Sequence, residues 1–588
     1  LQDNSTGSQG TAVGYKALAD NTTGAENTAV GYYALATNIT SAMNVAVGTM
    51  ALMTNAGGDH NVAVGHSALK LSTTGDNNSA VGRAALQSNT TGSRNTAIGR
   101  GSLYSNTTAT DNTGLGFYAL LNNTTGTSNT AVGSYSLDSN TTGADNVAVG
   151  YDALQVNETG INNVAIGAYA LDANTASNNV AVGKSALGGN TTGEKNTAVG
   201  REAALGNTTG SYNTSMGYQS LEVSTTGIQN TAIGSFALTN NTTGSYSTAV
   251  GNESLENNTT GRNTAVGHRS VRAVTTGTNN TGLGDHALNA TTGSYNTAVG
   301  HASMQQNTSG EHNVAVGRLA LHANTTADYN TAVGAECLEA NTTGTQVTAV
   351  GYGALDANTT GGSNTAVGTQ ALGSNTTSAA NTGVGQNALI ANTTGSENTA
   401  IGASAGIANT TGIRNVYVGR DAGKNVTTGD ANVFVGEECV ASAVGVDVEN
   451  IFGAGLTGKG TQTSFIGGTQ GTYNNKNVTT FETTSDERIK KNIVGNNSGL
   501  DILNQIQVRN FEYRTEEEIV DFDNPKAAVI EKKGVQLGVI AQEIEKVLPE
   551  VVTTQSTGVK SVNSDNLLWY LINAVKELSA KVESLETT

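Results

Sequence analysis

One period constrains this chain more than any other feature: a 17-residue repeat runs from the N-terminus to about residue 436. It can be indexed on the glycine of an Asn-Thr-Ala-Val-Gly core, which stands at Gly14, Gly31, Gly48, Gly65 and onward to Gly436. The 26 glycines leave 25 intervals, of which 22 span 17 residues and three span 16 (Gly167 to Gly183, Gly251 to Gly267, Gly284 to Gly300). A strict short period predicts a solenoid or fibre, in which each repeat buries its apolar face only against its neighbours. The functional question becomes what a long stalk does, rather than which pocket binds.

Composition agrees with stacked turns rather than disorder. Glycine supplies 74 of the 588 residues and charged residues only 13%, against roughly 25% charged in an ordinary globular domain. Disordered chains lack periodic Val and Leu and are usually rich in charge. The net charge of −18 argues against nucleic acid as a partner, which would demand a basic stripe. Cys337 and Cys439 are 102 residues apart, several turns in a solenoid, so no bridge is expected and no zinc spacing exists. No apolar run of membrane-spanning length and no signal peptide are visible. The sequence begins at Leu1, so residues upstream of it are read as open.

The consensus Asn-Thr-Ala-Val-Gly-x-x-Ala-Leu-x-x-Asn-Thr-Thr-Gly-x-x predicts two short strands and two Gly/Asn corners per coil of a β-solenoid. Asn stands four residues before the index glycine in 23 of 26 repeats, the exceptions being Gly10, Ser247 and Val347. Stacked there, its side chain is expected to form an amide ladder. Glycan attachment at the Asn-Thr-Thr sequons is the lesser reading. Val or Ile before the glycine and Leu four after it (Leu18, Leu35, Leu69, Leu86) are expected to form the apolar stripe. One thin coil buries little, so a homotrimer is inferred. About 26 coils at ~4.8 Å each give a rod on the order of 120 Å.

The repeats over residues 10–436 resemble the heads of trimeric autotransporter adhesins and the shafts of phage tail fibres. Residues 437–484 read as a Gly/Thr-rich transition, with Phe465, Tyr473 and Phe481 as a local core. From residue 485 the repeat vanishes; both prolines (Pro525, Pro549) and the single Trp569 lie beyond it. Leu568, Leu571, Val575, Leu578, Val582 and Leu585 are spaced 3-4-3-4-3 on a terminal helix over about 564–586. That is the a/d seam of a coiled coil, read as trimeric; a single amphipathic helix on a globular core is the alternative.

The run from Thr484 to Ile493, the segment Gly538 to Glu543 (which includes Gln542 and Glu543), and Leu548-Pro549-Glu550-Val551-Val552 resemble the endosialidase-type intramolecular chaperone family over residues 485–588. The resemblance implies a small α+β domain that drives trimer assembly of the upstream fibre and then cuts itself off at Ser485. It places Ser485 and Lys490 at the family's serine and lysine, with Asp486, Arg488, Gln542 and Glu543 as supporting motif residues. A desolvated lysine can take the proton of a serine hydroxyl, a poor nucleophile on its own. Attack on a neighbouring backbone carbonyl would give an ester by acyl shift, breaking that peptide C–N bond and passing the hydroxyl proton to the released amine, and water would then open the ester.

The two positions after each index glycine form a stacked stripe that includes Tyr15, Tyr32, Tyr118, Tyr135 and Tyr151, together with arginines and His66, His268, His286 and His301. It is a candidate glycan-contact surface, or else a contact between protomers. No carboxylate was read at ligand spacing from these histidines, so no metal and no cofactor are expected. No glycosidase carboxylate pair or phosphate loop stands out.

These readings converge on a homotrimeric phage tail fibre or tail spike in the virion. It would attach to a host-surface glycan or protein and join the tail or baseplate, and its only enzyme activity would be self-cleavage. The rivals are a bacterial trimeric cell-surface adhesin, a capsule depolymerase spike and an ice- or mineral-binding solenoid. The adhesin would close on a membrane anchor of strands of roughly 9–11 residues, where this chain closes on a polar heptad helix.

Overall fold

The structure is a computed structural model that describes residues 3–467, 472–474, 487, 490–519, 530, 532–554 and 558–587. The chain divides into two compact units, Leu1–Thr483 and Thr484–Thr588.

The first unit is a parallel β-solenoid. Its strands are three residues long and run from β1 (Thr11–Val13) to β28 (Ser464–Ile466), each paired with the next in parallel. The register follows the repeat: Thr11 faces Thr28, Ala12 faces Ala29 and Val13 faces Val30. A last short strand, β29 (Thr472–Asn474), turns back antiparallel on β28. Parallel stacking thus continues through Asn450–Phe452 and Ser464–Ile466, within the segment read as transitional. Phe465 is buried there; the side chain of Tyr473, and Phe481 altogether, lie outside the described residues.

Each coil contains one strand, not the two expected. The Ala-Leu run alternates like a strand, yet its backbone turns left-handed at the second and fourth residues after the glycine, as at Tyr33 (φ 57°) and Leu35 (φ 50°). A left-handed leucine costs roughly 1–2 kcal/mol. Leu35 is nevertheless fully buried, which is worth about 1.5–3 kcal/mol, and its N–H donates to Ala51 O of the next coil at 3.1 Å. Burial and the inter-coil bond outweigh the torsional cost.

The interior also differs from the expected stripe. Thr-Ala-Val strands point the central Ala inward, and Ala29, Ala46, Ala63 and Ala80 are fully buried against Ala34, Leu35, Leu52 and Leu69. Leu is in the core as expected. The residue before the glycine is not: Ile98 and Ile401 are 41% and 45% exposed. Period-two alternation decides the side, and the narrow coil has room for Ala opposite Leu but not for Val as well. An apolar row therefore lines the outer face of the sheet, with Val47, Val81, Leu115, Ile166, Val316, Val333 and Val367 among its exposed members.

Two asparagine columns brace the coils. The expected one, four residues before the glycine, bonds mainly to backbone: Asn27 Oδ1 accepts from Asn44 N (3.0 Å) and its Nδ2 donates to Ser41 O (2.7 Å). The second column is the Asn of Asn-Thr-Thr, seven after the glycine. Asn38 Nδ2 donates to Asn21 Oδ1 at 2.8 Å and Asn106 Nδ2 to Asn89 Oδ1 at 2.9 Å. These sequon side chains are buried, which removes them as glycan acceptors. Threonine joins the wall: Thr90 Oγ1 donates to Thr107 O at 3.0 Å.

The index glycine is required twice over. At Gly31 φ is 143°, and a Cβ would lie 2.3 Å from the carbonyl oxygen of Gly48. Only a residue without a side chain lets successive coils stack at strand spacing. Both cysteines are free and buried, and burial raises the Cys337 thiol to about 12.

The second unit is a small α+β fold. It comprises α1 (Leu500–Leu503), a pair β30 (Arg509–Phe511) and β31 (Gln536–Gly538), α2 (Ala541–Ile544), a pair β32 (Val552–Thr554) and β33 (Lys560–Val562), and α3 (Ser564–Glu586). Among the described residues its buried apolar cluster comprises Ile544, Leu548 and Val551, flanked by Ile502, Val562, Leu567 and Tyr570. Among the described residues no helix is long and apolar enough to cross a membrane.

Candidate functional site

The C-terminal helix presents two different faces. One packs inward: Leu567 and Tyr570 touch the core, Ala574 is buried, and a Cβ on Gly499 would sit 2.2 Å from Ala574 N. Tyr570 Oη donates to Glu550 at 2.7 Å, and Leu500 N donates to Glu577 at 3.0 Å. Asn563 caps the helix, its side chain accepting from Asp565 N. The a/d residues lie on the other face. Leu568 is 52% and Val575 57% exposed, and Leu571, Leu578, Val582 and Leu585 are exposed as well. The seam is therefore not what holds the helix to its own unit.

Of the motif residues, Glu543 has a firm place. Arg509 donates to both of its oxygens, at 3.0 and 2.8 Å, and this pairing holds the Glu543 carboxyl below its usual range. The bridge ties α2 to β30, a positioning role. Gln542 beside it is exposed. Lys490 is exposed, and its N–H donates to Glu487 O at 3.0 Å. Ser485, Asp486 and Arg488 lie outside the described residues, so the geometry of the proposed dyad does too. The division of the chain into two units falls between Thr483 and Thr484, close in sequence to Ser485.

On the solenoid the stripe is real and its rings touch. Tyr15 stacks on Tyr32 with centroids 5.5 Å apart and an interplanar angle of 16°. Tyr118, Phe117, Tyr135, Tyr151 and Tyr169 continue ring to ring over four coils, at 5.4 to 6.3 Å between coils. Inter-coil backbone pairing brings these rings together, because the two stripe positions of successive coils repeat near strand separation. Beside the second ring run lies a cleft of about 380 Å³ lined by His66, Arg83, Arg100, Tyr104 and Tyr118. Arg100 lies 5.7 Å from the Phe117 and Tyr118 ring centres. Cationic and aromatic side chains together suit an anionic or sugar ligand.

The stripe histidines need a correction. A carboxylate does stand at ligand distance: Asp285 Oδ1 lies 2.9 Å from His268 Nδ1 and 2.8 Å from His286 Nδ1. Linear spacing hid its approach to His268, 17 residues away in sequence and a neighbour across coils, although Asp285 directly precedes His286.

Residues 485–553 match the family model described as the chaperone of endosialidase. The match begins at Ser485 and ends before α3. No curated protein matches the chain. The molecule is thus a long parallel β-solenoid followed by a segment that matches the chaperone-of-endosialidase family model.

Proposed function

We propose that this chain is a phage tail-fibre or tail-spike protein that attaches the virion to a host surface as a homotrimer. The observation that carries the reading is the chaperone-of-endosialidase match starting at Ser485, directly behind a solenoid of 28 parallel strands. The chaperone segment aligns three chains. The fibre zips from that aligned end, and Ser485 with Lys490 as its base then severs the segment.

Two exposed apolar features support self-association. The a/d seam of α3 wants partner helices. The Val/Ile row on the solenoid's outer face would otherwise leave a continuous apolar surface in water, which marks an interaction site. Long-range β pairing is slow to nucleate, so a clamp that fixes register first has a physical purpose. Surface attachment is assigned to the ring columns of Tyr15, Tyr32, Tyr118, Tyr135 and Tyr151 and to the Arg83–Arg100 cleft.

The test is truncation. The full chain should yield a trimer by sedimentation, and a chain ending at residue 484 should yield monomer or aggregate. An identical trimer from the truncated chain would remove the chaperone role.

A further inference from the structure

Three histidines converge on one carboxylate over successive coils. His268, Asp285 and His301 each follow an index glycine (Gly267, Gly284, Gly300), and His286 follows Asp285. Besides its contacts to His268 and His286, Asp285 presents its second oxygen, Oδ2, 3.6 Å from His301 Nε2. The ligand atoms of His268, Asp285 and His286 all lie within 4.8 Å of one another. The His268 and His286 rings meet edge-on at 5.3 Å.

The donor set and the spacing fit one class of ion. Imidazole nitrogens with one carboxylate suit a borderline transition dication. In a tetrahedral zinc site, bonds of about 2.0–2.1 Å place ligand atoms roughly 3.4 Å apart. The separations from Asp285 are 2.8, 2.9 and 3.6 Å, so small side-chain rotations would admit the ion. Nearby cations are engaged elsewhere: Arg269 pairs with Glu253 at 2.8 Å, and Arg318 with Glu336.

An independent feature says why a staple belongs there. The internal Asn ladder fails in these coils. The position seven after the glycine is Val274 and then Thr291. Val274 is buried and offers no polar group, and Asn307 Nδ2 reaches the Thr291 hydroxyl at 3.1 Å instead of a carboxamide. Two of the three short intervals, ending at Gly267 and Gly300, bracket the same region.

We propose that His268, Asp285, His286 and His301 form a site for a zinc-like dication, which cross-links three coils where the amide ladder is interrupted. All four side chains are at least partly exposed, so removing one should leave the fold intact, which circular dichroism checks. Calorimetric titration of the full chain with zinc chloride should give one ion per chain, and magnesium, which prefers oxygen ligands, should give none. His286→Ala and Asp285→Asn should each weaken zinc at least tenfold. His312→Ala should not, since His312 lies flat between Tyr295 and Tyr329 and outside the cluster. Absence of zinc binding, equal binding by magnesium, or unchanged affinity in both cluster variants would overturn the site.

Discussion

Tyr417 occupies the space that Gly423 leaves empty: a Cβ on Gly423 would lie 2.3 Å from the Tyr417 ring. Tyr417 stands where other coils carry an inward Ala, and Gly423 stands where they carry Leu. Gly406, one coil earlier, makes the same room on the other side, 2.6 Å from the ring. The interior thus exchanges Ala and Leu for an aromatic and glycine at nearly constant volume. Phe434 replaces the inward Ala one coil on, with Val440 in the Leu position, and stacks on Tyr417 at 5.8 Å.

The exchange predicts a compensating pair. Tyr417→Ala alone should cost about 3–5 kcal/mol as a large-to-small core change. Gly423→Leu alone should also destabilise, by collision with the ring. Together they restore Ala and Leu in that coil, with Gly406 still leaving space on the other side, so the double variant should recover part of the loss. Chemical denaturation of the four proteins gives the coupling, and additive losses would contradict the volume argument.

The amide ladder predicts a stabilising change. Ser224 replaces its Asn, and the buried oxygens Ser224 Oγ, Asn207 Oδ1 and Asn241 Oδ1 lack hydrogen-bond partners. Ser224→Asn would donate to Asn207 and accept from Asn241. A restored buried hydrogen bond is worth about 1 kcal/mol. The thermal midpoint should rise; a fall would mean that the coil cannot admit the longer side chain.

Two aspartates predict opposite pH responses. Hydrogen bonding from Arg94 lowers the Asp111 carboxyl from 3.8 to about 2. Its contribution is present above the unfolded value and is lost as pH falls from there towards about 2. Burial raises Asp138, with Asp152 adding to it. There the folded state takes up the proton first, so acidification through the raised value stabilises. Asp138→Asn should raise the melting temperature at neutral pH and erase that mild-acid gain, whereas Asp111→Asn should flatten the steeper acid loss. Melts across mild to strong acid check both.

The exposed apolar rows predict where assembly fails. Ile98→Glu with Ile401→Glu, or Val575→Glu with Leu578→Glu, should leave the far-ultraviolet spectrum of each coil or helix intact while lowering the oligomer mass in sedimentation. Unchanged mass in both variants would assign these rows to something other than self-association.

Much of this architecture could be read from the repeat, and the misreadings share a cause. The index glycine and the inward Leu follow directly from the period. The Ala-Leu run alternates in hydrophobicity as a second strand would, and nothing in a Leu or Tyr announces the left-handed backbone it adopts. Val before the glycine was placed inside on apolarity alone, although a strand that points Ala inward must point Val out. The Asn of Asn-Thr-Thr was read as a turn or sequon residue, because its partner is the same residue one coil away. Asp285 escaped notice beside His268 for the same reason. The terminal helix was legible from its apolar spacing, while Arg509 against Glu543 joins segments whose pairing no local pattern encodes.

Intact mass of the recombinant chain beside Ser485→Ala and Lys490→Ala shows whether the proposed self-cleavage at Ser485 takes place. Self-cleavage should give two fragments meeting at Ser485 in the unaltered protein and one full-length mass in each variant. A single uncut mass for the unaltered chain, once it has assembled, would contradict it.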